Sequence, residues 1–424
     1  MFLLRKGVAV ALTLAALLAA QDPPNTLAQA VPRPGVAHLT LKQAIDEALA
    51  ANGLLEAGRE RVAAAVGLRQ QALLGTNPKF IFQTENTRGY DFRFFRDTDD
   101  FFYLQHTLET GKRRLKRGEV ASAYETRVDQ EREMVAFDIR ARVKRAYWAA
   151  AGAQDTVRWL EGNLSRFDEI VRYHEARVRE GAIAEADLLR VQLEDSKLRV
   201  ALSNARLAAA RTRIDLFREM SATDFPEVEL DSIESRMEPP MGDTAEALTR
   251  RPDVAAAQAY VAQTRANVNL QTAISKPNVD AVFGMKRVAG SVTQQSFTTL
   301  MGGVQVDIPF FNRNQGNIAA SQADVRAADA TLAAIKARVA AEVEASRRSL
   351  EIRNNELTRI IAPLRSQADE SASIAQAAYR IGGVDLLRLI DSERARIDAQ
   401  LTYYQSLTDY RQSAAALEVA LGLP

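Results

Sequence analysis

The residues best suited to catalysis or metal binding are scarce in this chain of 424 residues. Cysteine is absent, which excludes disulfides, thiolate metal sites and cysteine nucleophiles. The three histidines, His38, His106 and His174, are far apart along the chain. We find no nucleophile elbow, phosphate loop or zinc-binding helix motif. The composition therefore predicts a protein that is not an enzyme and has no cofactor and no resident metal site.

Charged side chains are numerous but balanced, with 55 basic and 54 acidic residues and a net charge of +1. This balance gives no reason to expect a nucleic-acid partner. Carboxylates are common, but no strongly patterned pair indicates acid–base catalysis. Four segments instead combine charged, amide or aromatic side chains with glycine or proline: LETGKRRLKRGEVASA (108–123), GAIAEADLL (181–189), IPFFNRNQGN (308–317) and YRIGGVDLLRLIDSER (379–394). Their role depends on the elements that position them.

Residues 1–30 have the pattern of a signal peptide. Arg5 and Lys6 precede an apolar region, Gly7 to Ala20, that is too short to span a bilayer as a helix. Ala28-Gln29-Ala30 fits a small-x-small cleavage site. An ordinary apolar helix is the alternative, but the pattern favours an exported protein.

The rest of the sequence indicates an internal duplication, with two copies of one unit offset by about 200 residues. Leu49 corresponds to Leu248, Pro78 to Pro277, and the segment 186–196 to the segment 384–394. We predict a first repeat over 31–220 and a second over 243–424. The segment 221–242 between them contains several prolines and is predicted to be an irregular connector.

Each repeat contains two runs in which apolar and polar residues alternate, at 78–92 and 99–110 and again at 278–291 and 297–310. The predicted apolar face contains Phe102, Leu104, Leu108, Val279, Ala281, Phe283, Met285, Leu300, Val304, Val306 and Ile308, and His106 interrupts it. This pattern is typical of a strand in a membrane β-barrel, although half-buried strands of other proteins share it.

Helices account for most of the remaining sequence. Each repeat opens with a helix, at 40–75 or 243–275, that ends before a proline. Long helices follow at 112–178 and 312–378, each about 100 Å long, and the chain returns in a shorter helix after Gly181 or Gly382. In the second long helix one apolar stripe follows a heptad pattern with a single step of four, which indicates packing on neighbouring helices. The stripe contains Ile318, Val325, Leu332, Val339, Val343, Leu350, Leu357 and Leu364.

Four strands cannot close a barrel, and open strand edges are not tolerated in lipid. Either the four runs are not membrane strands, or several chains contribute to one barrel. The second possibility, combined with such long helices, describes a tube that crosses the outer membrane and the periplasm.

The order of helices and strands in the two repeats resembles that of the TolC family, the outer membrane factors of tripartite efflux systems. The resemblance covers 39–423 and is most specific in the four segments quoted above. The sequence of 308–323 is most similar to that of the family branch that serves heavy-metal cation pumps of the cobalt–zinc–cadmium type. The implied fold is mainly α, with long helical hairpins forming a periplasmic α-barrel and four strands per chain contributing to a 12-stranded β-barrel.

The resemblance also implies partners. It implies a homotrimer in outer membrane lipid, a periplasmic adaptor (a membrane fusion protein) and an inner-membrane pump of the resistance–nodulation–division (RND) type. The channel is expected to be passive and its cargo to be heavy-metal cations. Drug or small-molecule efflux and type I secretion of polypeptides use the same kind of tube and stay open as alternatives. A periplasmic adaptor and a structural coiled-coil protein are rivals of another class.

Candidate pore residues follow from matching the hairpin ends to the family. The resemblance assigns the periplasmic entrance to Asp187, Tyr379, Gly382, Asp385, Arg388 and Asp391, and Asp391 matches an aspartate that forms an acidic ring in some members. The chain departs from the family where Val384 replaces a gating arginine and Arg388 a second ring aspartate. A capping or solvated role is the alternative for Asp187 and Asp391.

The junctions between strand and long helix are interpreted as structural joints. In the second repeat the joint contains Pro309, Phe310, Phe311, Asn312 and Arg313, and in the first it contains Gly111, Lys112 and Arg113. Pro309 is expected to end strand pairing, the phenylalanines to lie at the membrane interface, and Asn312 or Asn314 to cap the helix. The basic cluster 111–117 has three open interpretations: contact with anionic lipid, pairing with a neighbouring chain, or a solvated helix start.

Overall fold

The computed structural model describes residues 37–86, 93, 95–290 and 295–423, so the proposed signal peptide lies outside the described residues. The elements in chain order are β1 (Ala37–Leu39), α1 (Leu41–Ala51), α2 (Gly53–Ala72), β2 (Lys79–Glu85), β3 (Asp99–Leu108), α3 (Arg113–Arg179), α4 (Glu185–Glu219), β4 (Val228–Leu230), α5 (Thr244–Arg250), α6 (Pro252–Ile274), β5 (Val279–Val288), β6 (Phe297–Val306), α7 (Gln315–Glu356), a π-helical turn (Leu357–Ile361), α8 (Ala362–Arg380) and α9 (Leu386–Ala420).

The opening helix of each repeat is two helices rather than the single helix expected. Asn52 ends α1 and begins α2, where its side chain accepts a hydrogen bond from the Leu54 N–H at 2.9 Å. Arg251 takes the matching position between α5 and α6 and has extended backbone geometry. Pro252 follows it, and a residue before proline is disfavoured in a helix, so the break has a local cause.

The long helices form two antiparallel hairpins, α3 with α4 and the α7–α8 helix with α9. Helix α3 has 67 residues and is therefore about 100 Å long. Between the hairpins a cluster of buried apolar side chains joins the helices in the halves nearest the turns at Gly181 and Gly382: Leu160, Phe167, Val191, Leu198, Leu202, Leu386, Leu389 and Ile390. We call this the inter-hairpin core.

The second long helix is not continuous, contrary to the sequence prediction, and begins at Gln315 rather than at 312. The five-residue π-helical turn Leu357–Ile361 interrupts it, with Pro363 in the next turn. Proline has no N–H to donate and crowds the preceding turn, so a wider turn accommodates it. The buried stripe then continues through Ile361 and Ala368, while Leu364, predicted to lie in the stripe, is 45% exposed.

The four longer strands form one antiparallel sheet in the order β2-β3-β5-β6. They end earlier than expected, since β3, β5 and β6 stop at Leu108, Val288 and Val306. Residues 87–92 and 291, part of the expected strands, lie outside the described residues. The register confirms the predicted faces, because Phe102, Met285 and Leu300 are direct neighbours in one row, and His106, Ala281 and Val304 in another.

One face of this sheet is apolar and exposed to solvent in the single chain. Its exposed side chains include Phe80, Phe82, Leu104, Leu108, Phe283, Met285, Leu300, Val304 and Val306. The opposite face carries polar groups, and the Asp280 carboxylate accepts hydrogen bonds from Gln105 Nε2 at 3.1 Å and Thr107 Oγ1 at 2.5 Å. A sheet with its apolar face outward needs an apolar environment around it.

The connector 221–242 is less irregular than expected, because β4 lies inside it and pairs in parallel with β1. Gln154 of α3 binds this strand, donating to the Val228 carbonyl at 2.8 Å and accepting from the Leu230 N–H at 3.0 Å. The Asp155 carboxylate accepts from the Ile233 N–H at 2.9 Å. These bonds tie the connector to the middle of α3.

In the part of the chain that the structure describes, no helix has both the length and the apolar composition needed to cross a membrane.

Candidate functional site

The free ends of the two hairpins have the same construction. Gly181 and Gly382 adopt left-handed φ values of 72° and 78°, which glycine tolerates better than other residues. The next residue, Ala182 or Gly383, donates its N–H five residues back, to the carbonyl of Arg177 or Ala378. Both ends therefore satisfy their last carbonyls with a Schellman motif, and the return helix begins a few residues later.

The candidate entrance residues surround these two turns. Asp385 caps α9, since its carboxylate accepts from the Arg388 N–H at 2.9 Å. The side chains of Arg388 and Asp391 are exposed on the first turns of α9, and Asp391 Oδ1 lies 3.5 Å from Arg394 Nη1. Asp187 is half-buried in the first turn of α4.

Tyr379 is the candidate residue that joins the two hairpins. Its hydroxyl oxygen lies 2.9 Å from His174 Nε2, and the two rings stack with centroids 5.4 Å apart. His174 lies on α3 and is completely buried, and burial lowers its pKa. Sequence analysis did not identify His174 as this partner, because an isolated histidine on a helix is more often a packed core residue than a functional one.

A second link lies farther from the turns, between α4 and α9. Arg394 donates two hydrogen bonds to the carboxylate of Glu194, one from Nε at 2.8 Å and one from Nη2. Lys197 Nζ lies 2.9 Å from the same carboxylate. Hydrogen bonding by Arg394, assisted by Lys197, lowers the pKa of Glu194 to about 2 although its side chain is largely buried.

A third link is fully buried. Arg396 Nε donates to Glu393 on the same helix at 2.9 Å, and Arg396 Nη2 donates to Asn163 Oδ1 on α3. None of the residues in these last two links was singled out from the sequence.

The first-repeat joint uses its basic residues within the chain. Gly111 and Lys112 both have left-handed φ values, and a Cβ at Gly111 would lie 3.0 Å from the Ala273 carbonyl oxygen. Arg113 donates to the carbonyls of Ala273 at 3.3 Å, Ile274 at 2.9 Å and Lys276, at the end of α6.

Arg117 acts in the same way on a different helix. It pairs with Glu109 and donates to the carbonyl oxygens of Ala72 and Leu74 at the end of α2. The last carbonyls of a helix have no partner within it, so these arginines stabilise the ends of α2 and α6. For these two residues the structure shows contacts within the chain, which the three sequence-based interpretations did not include.

The second-repeat joint differs from the prediction at its asparagines. Asn314 occupies the N-cap position of α7, but its side chain does not cap that helix. Its Nδ2 instead donates to Gln271 of α6, to the carbonyl oxygen at 2.8 Å and to Oε1 at 3.0 Å. Asn312 Oδ1 accepts from the Asn314 N–H at 3.0 Å, so Asn312 shapes the turn rather than capping the helix.

The remaining joint residues follow the end of β6. Pro309 is half-buried, and Phe310 and Phe311 are exposed and meet edge to face with ring centroids 4.9 Å apart. The Arg313 N–H donates to Gln315 Oε1 at 2.8 Å. The aromatic pair therefore extends the exposed apolar surface of the sheet to its junction with α7.

Among the described residues, no group of three or more His, Cys, Asp or Glu side chains is placed to hold a metal ion. The described chain thus combines two long helical hairpins, a small sheet with an outward apolar face and a cluster of polar links at the hairpin ends. This combination defines a TolC-like outer membrane channel.

The sequence profile of the family named Outer membrane efflux protein matches residues 102–220 and 244–423. The chain belongs to this family, whose members are efflux channels of the outer membrane and not enzymes. A curated relative, the cobalt-zinc-cadmium resistance protein CzcC of Cupriavidus metallidurans, is 26% identical over 430 residues, covering 98% of both chains.

Solved structures agree on the fold. The outer-membrane channel OprN superposes with a TM-score of 0.72 at 20% identity, covering 91% of this chain and 90% of OprN. CusC, described for its transmembrane channel formation, gives 0.73 at 15% identity over 92% and 93% of the two chains. The open state of the Neisseria gonorrhoeae MtrE channel gives 0.71 at 17% identity over 90% and 89%.

Proposed function

We propose that three copies of this chain assemble into one duct that crosses the outer membrane and extends through the periplasm. The observation that carries the proposal is the open sheet. In the described part of the chain, β2 and β6 each pair on one side only, while the apolar face is exposed. Unpaired edges are not tolerated in lipid, and three copies would supply twelve strands, enough to close the sheet on itself.

The exposed aromatic pair Phe310 and Phe311 fits this arrangement. Both lie at the end of β6 on the side of the long helices, where the sheet would leave the membrane. Aromatic side chains commonly form girdles at that depth. We assign the pair to the periplasmic interface.

The hairpin ends would then form the periplasmic entrance, on which a periplasmic adaptor and an inner-membrane RND pump act. Three-fold symmetry would place three Asp391 carboxylates around one axis, a field that attracts cations. The two repeats, 31–220 and 243–424, would contribute alternating helices to the wall, with the connector 221–242 around its middle.

We further propose heavy-metal cations as the cargo. The support is the full-length similarity to a relative named for cobalt, zinc and cadmium resistance. Because no described cluster of side chains would bind a metal tightly, the duct would conduct the ions and leave their selection to the pump and adaptor.

Two experiments test the proposal. Fractionation should recover a heat-resistant trimer from the outer membrane, whereas a monomer in the soluble periplasmic fraction would favour an adaptor or a structural coiled-coil protein. A deletion strain should become sensitive to cobalt, zinc or cadmium. Sensitivity to dyes and antibiotics alone, or loss of a secreted polypeptide, would instead identify a drug-efflux or secretion duct.

A further inference from the structure

The contact between His174 and Tyr379 is the link that lies nearest the free ends of the hairpins. Tyr379 precedes the turn at Gly382 by three residues, and His174 lies in the second-to-last turn of α3. Any movement of α8 away from α3 must therefore break this contact.

The hydrogen bonds define the protonation state of the ring. His174 Nδ1 lies 2.7 Å from the Ile170 carbonyl oxygen, which can only accept, so Nδ1 carries a proton. In the neutral ring Nε2 is then an acceptor, and the Tyr379 hydroxyl donates to it at 2.9 Å. Among the described residues the Tyr379 hydroxyl makes no second hydrogen bond.

A second proton on His174 would disrupt this arrangement. It would add to Nε2, turning the acceptor into a donor that faces another donor. It would also place a positive charge in a site with no exposed surface, which is costly unless the charge is paired.

The charged groups around the ring do not remove this cost. Arg177 of α3 opposes a positive charge at His174, whereas Asp187 of α4 favours it. Tyr173 of α3 touches the ring edge to face, and Tyr379 of α8 covers it. Burial outweighs these contributions and lowers the pKa of His174.

We propose that the His174–Tyr379 contact is a pH-sensitive latch between the hairpins, closed while His174 is neutral and released when His174 gains a proton. We expect this release to widen the periplasmic entrance, a consequence that rests on the proposed function. The latch itself concerns only contacts within one chain.

The direction of the pH effect follows from linkage. The released state, with His174 in water, has the higher histidine pKa, near 6.5, and so binds the proton more readily. The latched state is therefore fully favoured above that pH and becomes less stable as the pH falls below it. Glu194 stays ionised down to about pH 2, so the Glu194–Arg394 link does not respond in the same range.

The absence of cysteine in the chain permits a direct test in the full-length protein. Leu386→Cys places a thiol in the inter-hairpin core, where Leu386 is 8% exposed, and Ile381→Cys places one at a position that is 86% exposed. The measurement is the ratio of their maleimide labelling rates between pH 7.5 and 5.5, because the ratio cancels the thiol's own titration. We expect it to rise about three- to tenfold as the pH falls.

His174→Gln should abolish the rise, because the amide oxygen still accepts from Tyr379 but does not titrate. His106→Gln, a histidine of β3 outside the hairpins, should leave the rise unchanged. Tyr379→Phe keeps the ring and removes the donor, so it should raise the ratio already at pH 7.5. A flat ratio in the unmodified background, a normal rise in His174→Gln, or an unaltered pH profile in Tyr379→Phe would each overturn the latch.

Conductance in planar bilayers separates this proposal from the proposed function. If the purified protein forms channels, their open probability should follow the labelling ratio, and channels indifferent to pH would refute the latch as a gate. If it forms no channels while the labelling depends on His174, the duct fails and the latch is supported.

Discussion

At the scale of single residues, the three links between the hairpins place polar side chains where they are shielded from water. Glu194, Glu393 and Arg396 are all less than a tenth exposed. Burying a charged pair costs desolvation energy that the attraction only partly offsets, whereas removing one partner leaves a buried charge without compensation. The links therefore destabilise misaligned hairpins more than they stabilise correctly aligned ones.

The Glu194–Arg394 link gives a prediction about stability. Arg394→Ala should lower the free energy of unfolding by about 1–2 kcal/mol at pH 7, less than for a fully buried pair because Arg394 is half exposed. Arg199→Ala removes an arginine from an exposed pair with Asp168 and Asp195, and should change the thermal midpoint little.

The same variant should show a characteristic pH dependence. Because the pKa of Glu194 is lowered in the folded chain, its contribution is complete above the ordinary glutamate pKa of about 4.3 and is lost as the pH falls towards 2. The difference in thermal midpoint between Arg394→Ala and the unmodified protein should thus shrink below pH 4. A constant difference from pH 7 to pH 3 would exclude the ionised Glu194 as its cause.

Asp391 gives a prediction about conduction. Its carboxylate is more than half exposed and its contact with Arg394 is long, so it leaves negative charge available to the solvent. Asp391→Asn should lower the cation selectivity of the reconstituted channel, seen as a smaller reversal potential in a salt gradient. Asp168→Asn, which removes an exposed carboxylate from the first hairpin, is the control, and equal reversal potentials in all three proteins would contradict the acidic ring.

Of the residues that form the three links, sequence reasoning singled out only Tyr379. Tyr379 was selected from the motif around Gly382, but its partner His174 lies 205 residues away, and Glu194 and Arg394 are 200 residues apart. Such pairs form only when two hairpins from different repeats pack side by side. Spacing along one helix therefore carries no information about them.

At the scale of elements, the close approach of α3 and α9 depends on a glycine that the sequence did not mark. A Cβ at Gly152 would lie 2.1 Å from Thr408 Oγ1 and 2.9 Å from Thr408 Cγ2. Thr408 is β-branched and its hydroxyl donates to the Tyr404 carbonyl at 2.8 Å, so it cannot move away freely.

Gly152→Ala should therefore destabilise the protein by about 1–3 kcal/mol, despite the better helix propensity of alanine. Gly162→Ala is the matched control on the same helix, where an added Cβ meets nothing within 4 Å, and it should stabilise by about 0.5–1 kcal/mol. The double variant Gly152→Ala/Thr408→Ala should recover most of the loss in chemical denaturation. If Gly152→Ala instead raises stability as Gly162→Ala does, the helices are not in close contact there.

Heptad periodicity predicted the apolar stripe of the second long helix as far as Leu357, half-buried at first and buried from Val339 onward, because packing on neighbours selects apolar residues at that period. It failed at Leu364, since the π-helical turn Leu357–Ile361 shifts the residues that follow around the helix axis. Pro363 was the available signal. A proline inside a helical pattern requires a kink, a break or a wider turn, and sequence alone does not decide among these.

At the scale of the whole molecule, the central question is which strands pair with the two edge strands of the sheet, β2 and β6. Strand alternation predicted both faces correctly, because each side chain on a strand must point to one face or the other. It contained no information on what pairs with β2 and β6, which lie at opposite ends of the sheet order. The proposed trimer answers this by joining β2 of one copy to β6 of the next.

Cysteine pairs test that arrangement directly. Within one chain β2 and β6 are separated by three strand spacings, about 14 Å, whereas a disulfide requires Cα atoms within about 7 Å. A cysteine at Gln83 of β2 combined with one at Thr299, Met301 or Gly303 of β6 can therefore form a disulfide only between copies. Oxidation of at least one of these three double variants should give a covalent trimer on a denaturing gel.

The control pair is Gln105→Cys with Val282→Cys, which lie directly opposite on β3 and β5. Its disulfide forms within one chain and should leave the protein at the monomer position. If this control oxidises while all three edge pairs also stay at the monomer position, the edges do not meet between copies. An endless ladder of bands would indicate open association of edges, because only a closed ring stops at three.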